Sequence, residues 1–222
     1  MLTRILEPEV MDTPEEAGDY DSMDHSAVNR TFVSDFLGVW HGRSPVLDVG
    51  TGTALIPIEL CRSHPTAEVV GIDLAEHMLA LGRRNVERAG LGARIRLERA
   101  NGREMNYADG TFAAVMSNSI VHHIPKPEDT IAEMIRVCGA GGTLFVRDLM
   151  RPPDRATLEH LVQTYAGEAN AHQKKMFGDS LHAALTLDEI RAIIDRFGFP
   201  AESVQVTTDR HWTWVSRKAL SQ

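Results

Sequence analysis

Short apolar runs alternate with longer amphipathic ones along most of the chain. Residues 45–49 (PVLDV), 68–72 (EVVGI), 94–98 (RIRLE), 112–117 (FAAVMS) and 143–148 (TLFVRD) predict five strands. Between them, residues 54–62, 75–89 and 128–137 predict helices. Pro57 is tolerable in the first of these because it lies near the first turn. In the second, Met78, Leu79, Leu81, Val86 and Ala89 recur at near-helical spacing, and Gly90 stops the run. Gly139 ends the third. This rhythm predicts parallel strand–helix–strand units with right-handed crossovers. Near-continuous apolar strands fit a sheet covered on both faces.

The last third has a different pattern. Residues 154–177 read as helical with scattered polar positions, and 186–197 as an amphipathic helix. Thr186 and Glu189 have the spacing of a capping box at its start. Residues 203–208 and 211–217 predict two strands joined by a tight turn at Asp209-Arg210, an antiparallel hairpin at one sheet edge. Trp212 and Trp214 fall on one face of it. The expected architecture is a single α/β domain with a seven-stranded, mostly parallel sheet and helices on both faces. Residues 1–44 form a helical N-terminal cap, with a helix near His25 to Trp40. The core is 45–150, a lid insert is 151–185, and 186–222 hold the last helix and hairpin. Cap and insert are expected to cover the carboxyl ends of the strands, where open α/β sheets bind ligands.

Composition narrows the partners. The 222 residues carry a formal net charge of −8, which argues against a nucleic-acid substrate. No apolar run reaches membrane-spanning length, and the acidic N-terminus lacks the apolar core of a signal peptide. Cys61 and Cys138 make neither a disulfide framework nor a zinc site and fit buried small apolar positions. The expected location is the cytoplasm. A homodimer is left open.

The chemistry starts at Asp48-Val-Gly50-Thr51-Gly52-Thr-Ala54, where a strand enters a tight turn and leaves into a helix. Glycines at 50 and 52 let the backbone approach a ligand closely. A dinucleotide fingerprint would need glycine at 55, which is leucine. Asp48 would repel a pyrophosphate and suits a ligand with a cationic end. Taken alone, the loop leaves an ordinary strand–helix turn open. Asp73 closes the second strand about 20 residues beyond the glycines, where an acidic residue can bind both ribose hydroxyls. A helix N-cap is its plainer reading.

Together with these, four later stretches resemble class I S-adenosylmethionine-dependent methyltransferases, in particular the menaquinone and ubiquinone C-methyltransferase group. Ala100-Asn101-Gly102 stands where the family has Gly-Asp-Ala, and Asp109 to Val115 resembles D-G-S-F-D-x-V. Ser117 to Ile124 resembles S-N-x-x-L-H-H-I, and Glu133 to Gly142 resembles E-x-x-R-V-L-K-P-G-G. The resemblance runs from about Val46 to Asp148. It implies a Rossmann-like fold, S-adenosylmethionine as methyl donor, S-adenosylhomocysteine as product and a small-molecule acceptor. The departures are Ala54 for the last glycine of the loop, Asn101 for aspartate and Ala113 for aspartate. Asn101 keeps an oxygen but loses a charge.

The resemblance also assigns a cofactor set. Gly50, Thr51 and Gly52 approach the methionine portion, and Asp48 sits near its amino group. Asp73 holds the ribose, and Leu74 and Met78 pack on the adenine. Asn101 and the Gly102 N–H bind the adenine edge, while the Ser117 carbonyl or the Asn118 amide holds the methionine end. Tyr20 closes over the cofactor.

Methyl transfer from a sulfonium is an in-line displacement, so proximity and alignment supply most of the catalysis. A base is needed only for an acceptor that is protonated in its reactive form. His123 is the candidate base, with a capping role as the alternative. His122 is expected to point into packing, the two adjacent rings facing different sides. Asp148 is a second candidate, to bind an acceptor amine or cap a turn. His25, His172 and His182 read as solvated, and so does the pair Lys174-Lys175. No histidine pair has a clean ligand spacing, so no metal is expected. Three alternatives stay open: a non-catalytic S-adenosylmethionine binder, a methyltransferase acting on a macromolecule, and a nucleotide-dependent oxidoreductase. Leu55 and the later motifs speak against the last.

Overall fold

In the computed structural model, residues 2–7, 12–22 and 26–220 are described. Among them run α1 (Pro14–Ser22), α2 (Ser26–Val39), β1 (Val46–Val49), α3 (Leu55–Ser63), β2 (Val69–Asp73), α4 (Glu76–Arg88), β3 (Ile95–Arg99) and β4 (Phe112–Asn118). Then come α5 (Pro127–Val137), β5 (Cys138–Leu149), α6 (Arg155–Ala166), α7 (Ala171–Ala183), α8 (Leu187–Arg196), β6 (Val204–Val206) and β7 (His211–Arg217). The strands form one seven-stranded sheet in the order β3-β2-β1-β4-β5-β7-β6. β1 pairs in parallel with β2 and β4, and β2 in parallel with β3. β6 and β7 are antiparallel. The expected α/β sheet, with its final antiparallel pair, is the observed one.

The chain divides into two compact units. The larger comprises Val10–Asn118, Asp129–Val146 and Val215–Gln222. Its core contains Phe32, Phe36, Trp40, Leu60, Met116 and Phe145. The Phe145 ring meets Phe32 edge-on at 5.0 Å and Phe36 at 5.7 Å, while Phe36 stacks on Trp40. This corrects one expectation for the N-terminal arm. α2 belongs to the packed core, because Phe32, Val33 and Phe36 give it an apolar face that only burial satisfies. α1, which periodicity did not predict, packs Ala17 against Ala75 and Met78.

The smaller unit comprises Met1–Glu9, Ser119–Glu128 and Arg147–Trp214. Leu149, Leu158, Leu161, Leu181 and Ala184 form its apolar cluster. The stretch read as one helix over 154–177 is two. Asp154 caps α6, and Asn170 caps α7 with a reciprocal capping box through Gln173. The Gly167-Glu168-Ala169-Asn170 segment between them breaks the helix because Asn170 offers its side chain to Gln173 N–H. At α8 the Thr186–Glu189 capping box forms as the spacing predicts. Arg151, buried, ties this unit together through Glu189 at 2.6 Å and the Ala184 carbonyl at 3.0 Å.

Candidate functional site

The larger unit places the predicted cofactor residues at the carboxyl ends of β1, β2, β3 and β4. Strand register sets this: Asp48 lies opposite Gly71 and Met116, Val49 opposite Ile72 and Ser117, and Asp73 opposite Arg99. The chain after Val49 turns sharply, with Gly50 N and Thr51 N both donating to the Ile72 carbonyl at 2.8 and 2.9 Å. Gly50 and Gly52 take φ values of +76° and +52°, which explains glycine at both. Ala54 takes φ +64° at the mouth of α3, where the resembling family has its third glycine.

Asp73 pins this turn. Its Oδ2 accepts from Gly52 N at 2.8 Å, and its Oδ1 accepts from Ala75 N at 2.9 Å. α4 begins after Ala75, so Asp73 is not its N-cap. Burial holds the Asp73 carboxyl above its usual range, against the bonds from Ala75 and Gly52. Asp48 is 2% exposed, and its Oδ2 is enclosed without a hydrogen-bond partner. Burial pushes its carboxyl up to about 7; the Thr51 hydroxyl opposes the rise and the charge of Asp73 adds to it. A buried carboxylate in this position is stabilised by a cation brought next to it.

The remaining predicted positions differ in what occupies them. Ser117 is buried and its Oγ donates to the Val49 carbonyl at 2.8 Å, joining β4 to β1. Asn118 is half-buried at the end of β4. Asn101 Oδ1 accepts from Arg103 N at 2.9 Å in a local turn. A side chain at Gly102 would come within 3.1 Å of Val49 Cγ1, so the backbone there passes close to β1. Leu74 is half-buried, and Met78 is covered by Ala17. Tyr20 falls in α1, but its side chain is outside the described part of the chain, and His25 is outside the described residues. Sequence reasoning missed Asn85, whose Nδ2 donates to the Thr53 carbonyl at 3.1 Å and to Asp21 at 2.9 Å. It thereby ties α1 and α4 to the glycine turn.

The histidine pair lies in the smaller unit, on a 3-10 turn over Val121–His123. Its geometry overturns the expectation that the rings diverge. A 3-10 turn rotates successive side chains by about 120° rather than the 180° of a strand. The two ring centroids are 4.2 Å apart, and both rings reach Glu7. His122 is buried in packing, as expected, and is bonded through Nδ1 to Asp148 Oδ1 at 2.5 Å. Asp148 also accepts from Val121 N at 2.5 Å, His122 N at 3.3 Å and Leu149 N at 2.6 Å. With these bonds and 1% exposure, it acts as a cap and anchor of the turn. Burial alone would raise the Asp148 carboxyl, but the His122 imidazole beside it holds it below its usual range. For His122 burial opposes protonation, and Asp148 and Glu7 more than offset it. Burial keeps the Glu7 carboxyl above its usual range, against the attraction of His122. Glu7 could not be read from the sequence, since 115 residues separate it from His122. His182 has a buried Nδ1 without a hydrogen-bond partner. His172 is exposed on α7, and Lys175 pairs with Asp179.

Comparison with known proteins fits this geometry. Residues 46–142 match a family model described as a methyltransferase domain. The chain is 40% identical over 102 residues to a phosphatidylethanolamine N-methyltransferase of Cereibacter sphaeroides, spanning 46% of this chain and 48% of that protein. It is 32% identical over 117 residues to a ubiquinone/menaquinone biosynthesis C-methyltransferase of Geobacter sulfurreducens, spanning 52% and 46%. The match thus spans about half the length of these relatives. A solved S-adenosylmethionine-dependent methyltransferase structure from Aquifex aeolicus shares the fold with a TM-score of 0.67 at 16% identity, over 92% of this chain and 98% of that chain. The glycine turn, the two strand-end carboxylates and these matches together place a methyltransferase domain at residues 46–142, similar to the class I S-adenosylmethionine-dependent enzymes of the ubiquinone/menaquinone C-methyltransferase group.

Proposed function

We propose that this protein transfers a methyl group from S-adenosylmethionine to a small-molecule acceptor by in-line displacement. The observation that carries the reading is Asp48, a buried carboxyl with a partnerless oxygen at the glycine turn that Asp73 pins. A pyrophosphate would meet repulsion there, whereas an amino-acid end supplies the missing cation. In this reading the backbone from Gly50 to Gly52 lies along the methionine portion and Asp48 faces its ammonium. Asp73 takes the ribose hydroxyls with the carboxylate lone pairs left by Gly52 N and Ala75 N, since a carboxylate accepts about four bonds. Leu74 and Met78 flank the adenine, Gly102 N–H and Asn101 meet its edge, and Ser117 and Asn118 hold the methionine end. Tyr20 is the covering residue.

The donor brings its own activation as a sulfonium, so the chain's part is to hold the reacting groups in line and exclude water. Two relatives are named for methylating nitrogen and carbon respectively, yet each matches about half of this chain. That supports a shared donor site and an acceptor chosen by residues beyond it. The net charge of −8 favours a small molecule over a nucleic acid.

Calorimetric titration of the full chain with S-adenosylmethionine, S-adenosylhomocysteine and NADH tests the donor. One-to-one binding of both sulfur nucleosides and none of NADH is expected. NADH binding without either nucleoside would overturn the reading. Donor binding without label transfer from methyl-labelled S-adenosylmethionine to any candidate acceptor would favour the non-catalytic binder.

A further inference from the structure

The smaller unit brings together Glu7, His122 and His123, residues that no part of the methyl-donor site uses. Glu7 Oε1 lies 3.5 Å from His122 Nε2 and 3.2 Å from His123 Nδ1. All three candidate ligand atoms fall within 4.8 Å of one another. We propose that Glu7, His122 and His123 form a binding site for one divalent transition-metal ion of the kind that takes two imidazoles and a carboxylate.

Four features support this. First, the two separations from Glu7 to the histidines have the right size. Two donors each about 2.1 Å from one ion lie about 3.0 Å apart at a right angle and about 3.4 Å apart at the tetrahedral angle. Second, Glu7 Oε1 is enclosed and accepts no hydrogen bond. Its partner oxygen is held by Ser180 Oγ at 3.3 Å, which aims the carboxylate. Third, His122 Nδ1 is bonded to Asp148, leaving Nε2 as the ligand atom. A carboxylate behind the imidazole is the usual orienting partner of a metal-bound histidine. Fourth, the half-buried carboxyl of Glu7 and the buried one of Asp148 both face His122, and a dication beside it offsets their charge. Arg4, the adjacent guanidinium, instead donates to the carbonyls of Ala183, His122 and Ile124. Those bonds fasten residues 2–7 to the histidine turn and so place Glu7.

The donor set selects the ion. Two nitrogens and one oxygen suit Zn²⁺, Fe²⁺, Co²⁺ or Mn²⁺, whereas Mg²⁺ and Ca²⁺ prefer oxygen. Three protein ligands leave coordination positions for water or for an oxygen donor of a small molecule. Spacing along the chain gives no sign of the site, because one ligand comes from the far N-terminal segment. His123 then acts as a ligand rather than a base.

The test uses the full chain, stripped with a chelator and exchanged into chelator-free buffer. Zn²⁺ is titrated calorimetrically, and Co²⁺ is followed by its visible absorption. One Zn²⁺ per chain is expected, with Co²⁺ competing for the same site. Glu7→Gln and His123→Gln, both outside the donor site, should each weaken Zn²⁺ binding at least about 10-fold. His172→Gln, on the exposed face of α7, should leave it unchanged. Circular dichroism and S-adenosylhomocysteine binding check that each variant folds. Absence of stoichiometric binding, or equal affinity in Glu7→Gln, His123→Gln and the parent, would overturn the proposal. Failure of the donor reading would leave this result unaffected, because all three ligands lie in the smaller unit.

Discussion

Ala54 carries a left-handed backbone conformation, φ +64°, in the turn that opens α3. An L-residue with a Cβ pays about 1–2 kcal/mol for that conformation, and glycine pays nothing sterically. Glycine also gains freedom in the unfolded chain, which offsets part of the difference. Ala54→Gly is therefore expected to stabilise the protein by about 1 kcal/mol, measured as a rise in the urea midpoint at unchanged slope. At Asp48 the effect depends on pH. Its folded carboxyl titrates near 7 against 3.8 unfolded. Between those values the folded chain holds a proton that the unfolded chain has released, so stability falls as pH rises through the window. Asp48→Asn removes that loss. Its melting temperature relative to the parent should climb between about pH 4 and about pH 7. The same variant should weaken S-adenosylhomocysteine binding and abolish the proton release expected of the parent on binding at about pH 6, read by calorimetry in two buffers of different ionisation enthalpy. A flat difference in melting temperature across that range would contradict the burial argument.

At the scale of elements, chain signals worked best where they were local and reciprocal. Thr186 and Glu189 satisfy each other's backbone donors, at 3.2 and 2.8 Å, without help from distant residues. Thr186→Ala should cost about 1 kcal/mol, seen in thermal unfolding. The glycine turn was legible for the same reason, since positive φ at Gly50 and Gly52 is written in residue type. The start of β5 was not. Cys138 to Gly142 looks like a glycine-rich loop, yet it is strand because the C-terminal segment pairs with it. Gly141 N donates to the Lys218 carbonyl at 2.9 Å, and Lys218 N to the Gly142 carbonyl at 3.0 Å. Here a long-range ladder overrides local propensity. α1 was invisible for the opposite reason: it has little apolar periodicity and gains its place from Ala17 against Ala75 and Met78.

For the whole molecule, the division into two units separates the two proposed ligands. S-adenosylhomocysteine at about 100 times its dissociation constant should stabilise the larger unit by about 2.7 kcal/mol, a shift of about 5–10 °C if the chain melts as one. Hydrogen exchange read by mass spectrometry should show that protection concentrated in 46–57, 69–82 and 99–118. Zn²⁺ should instead protect 2–7 and 119–128. Protection of 119–128 by Zn²⁺ in the Glu7→Gln variant, equal to that in the parent, would argue against the metal assignment.

Sequence alone determined the parallel sheet, the glycine turn and both strand-end carboxylates. These depend on periodicity and on residue types that a sharp turn requires, and such information is local. Tertiary structure decided three further things: the burial of Asp48, the strand beginning at Cys138, and the meeting of Glu7 with His122 and His123. Each arises from contacts between segments far apart in the chain. Burial and ligand geometry are properties of neighbours in space, and no spacing along the chain encodes them.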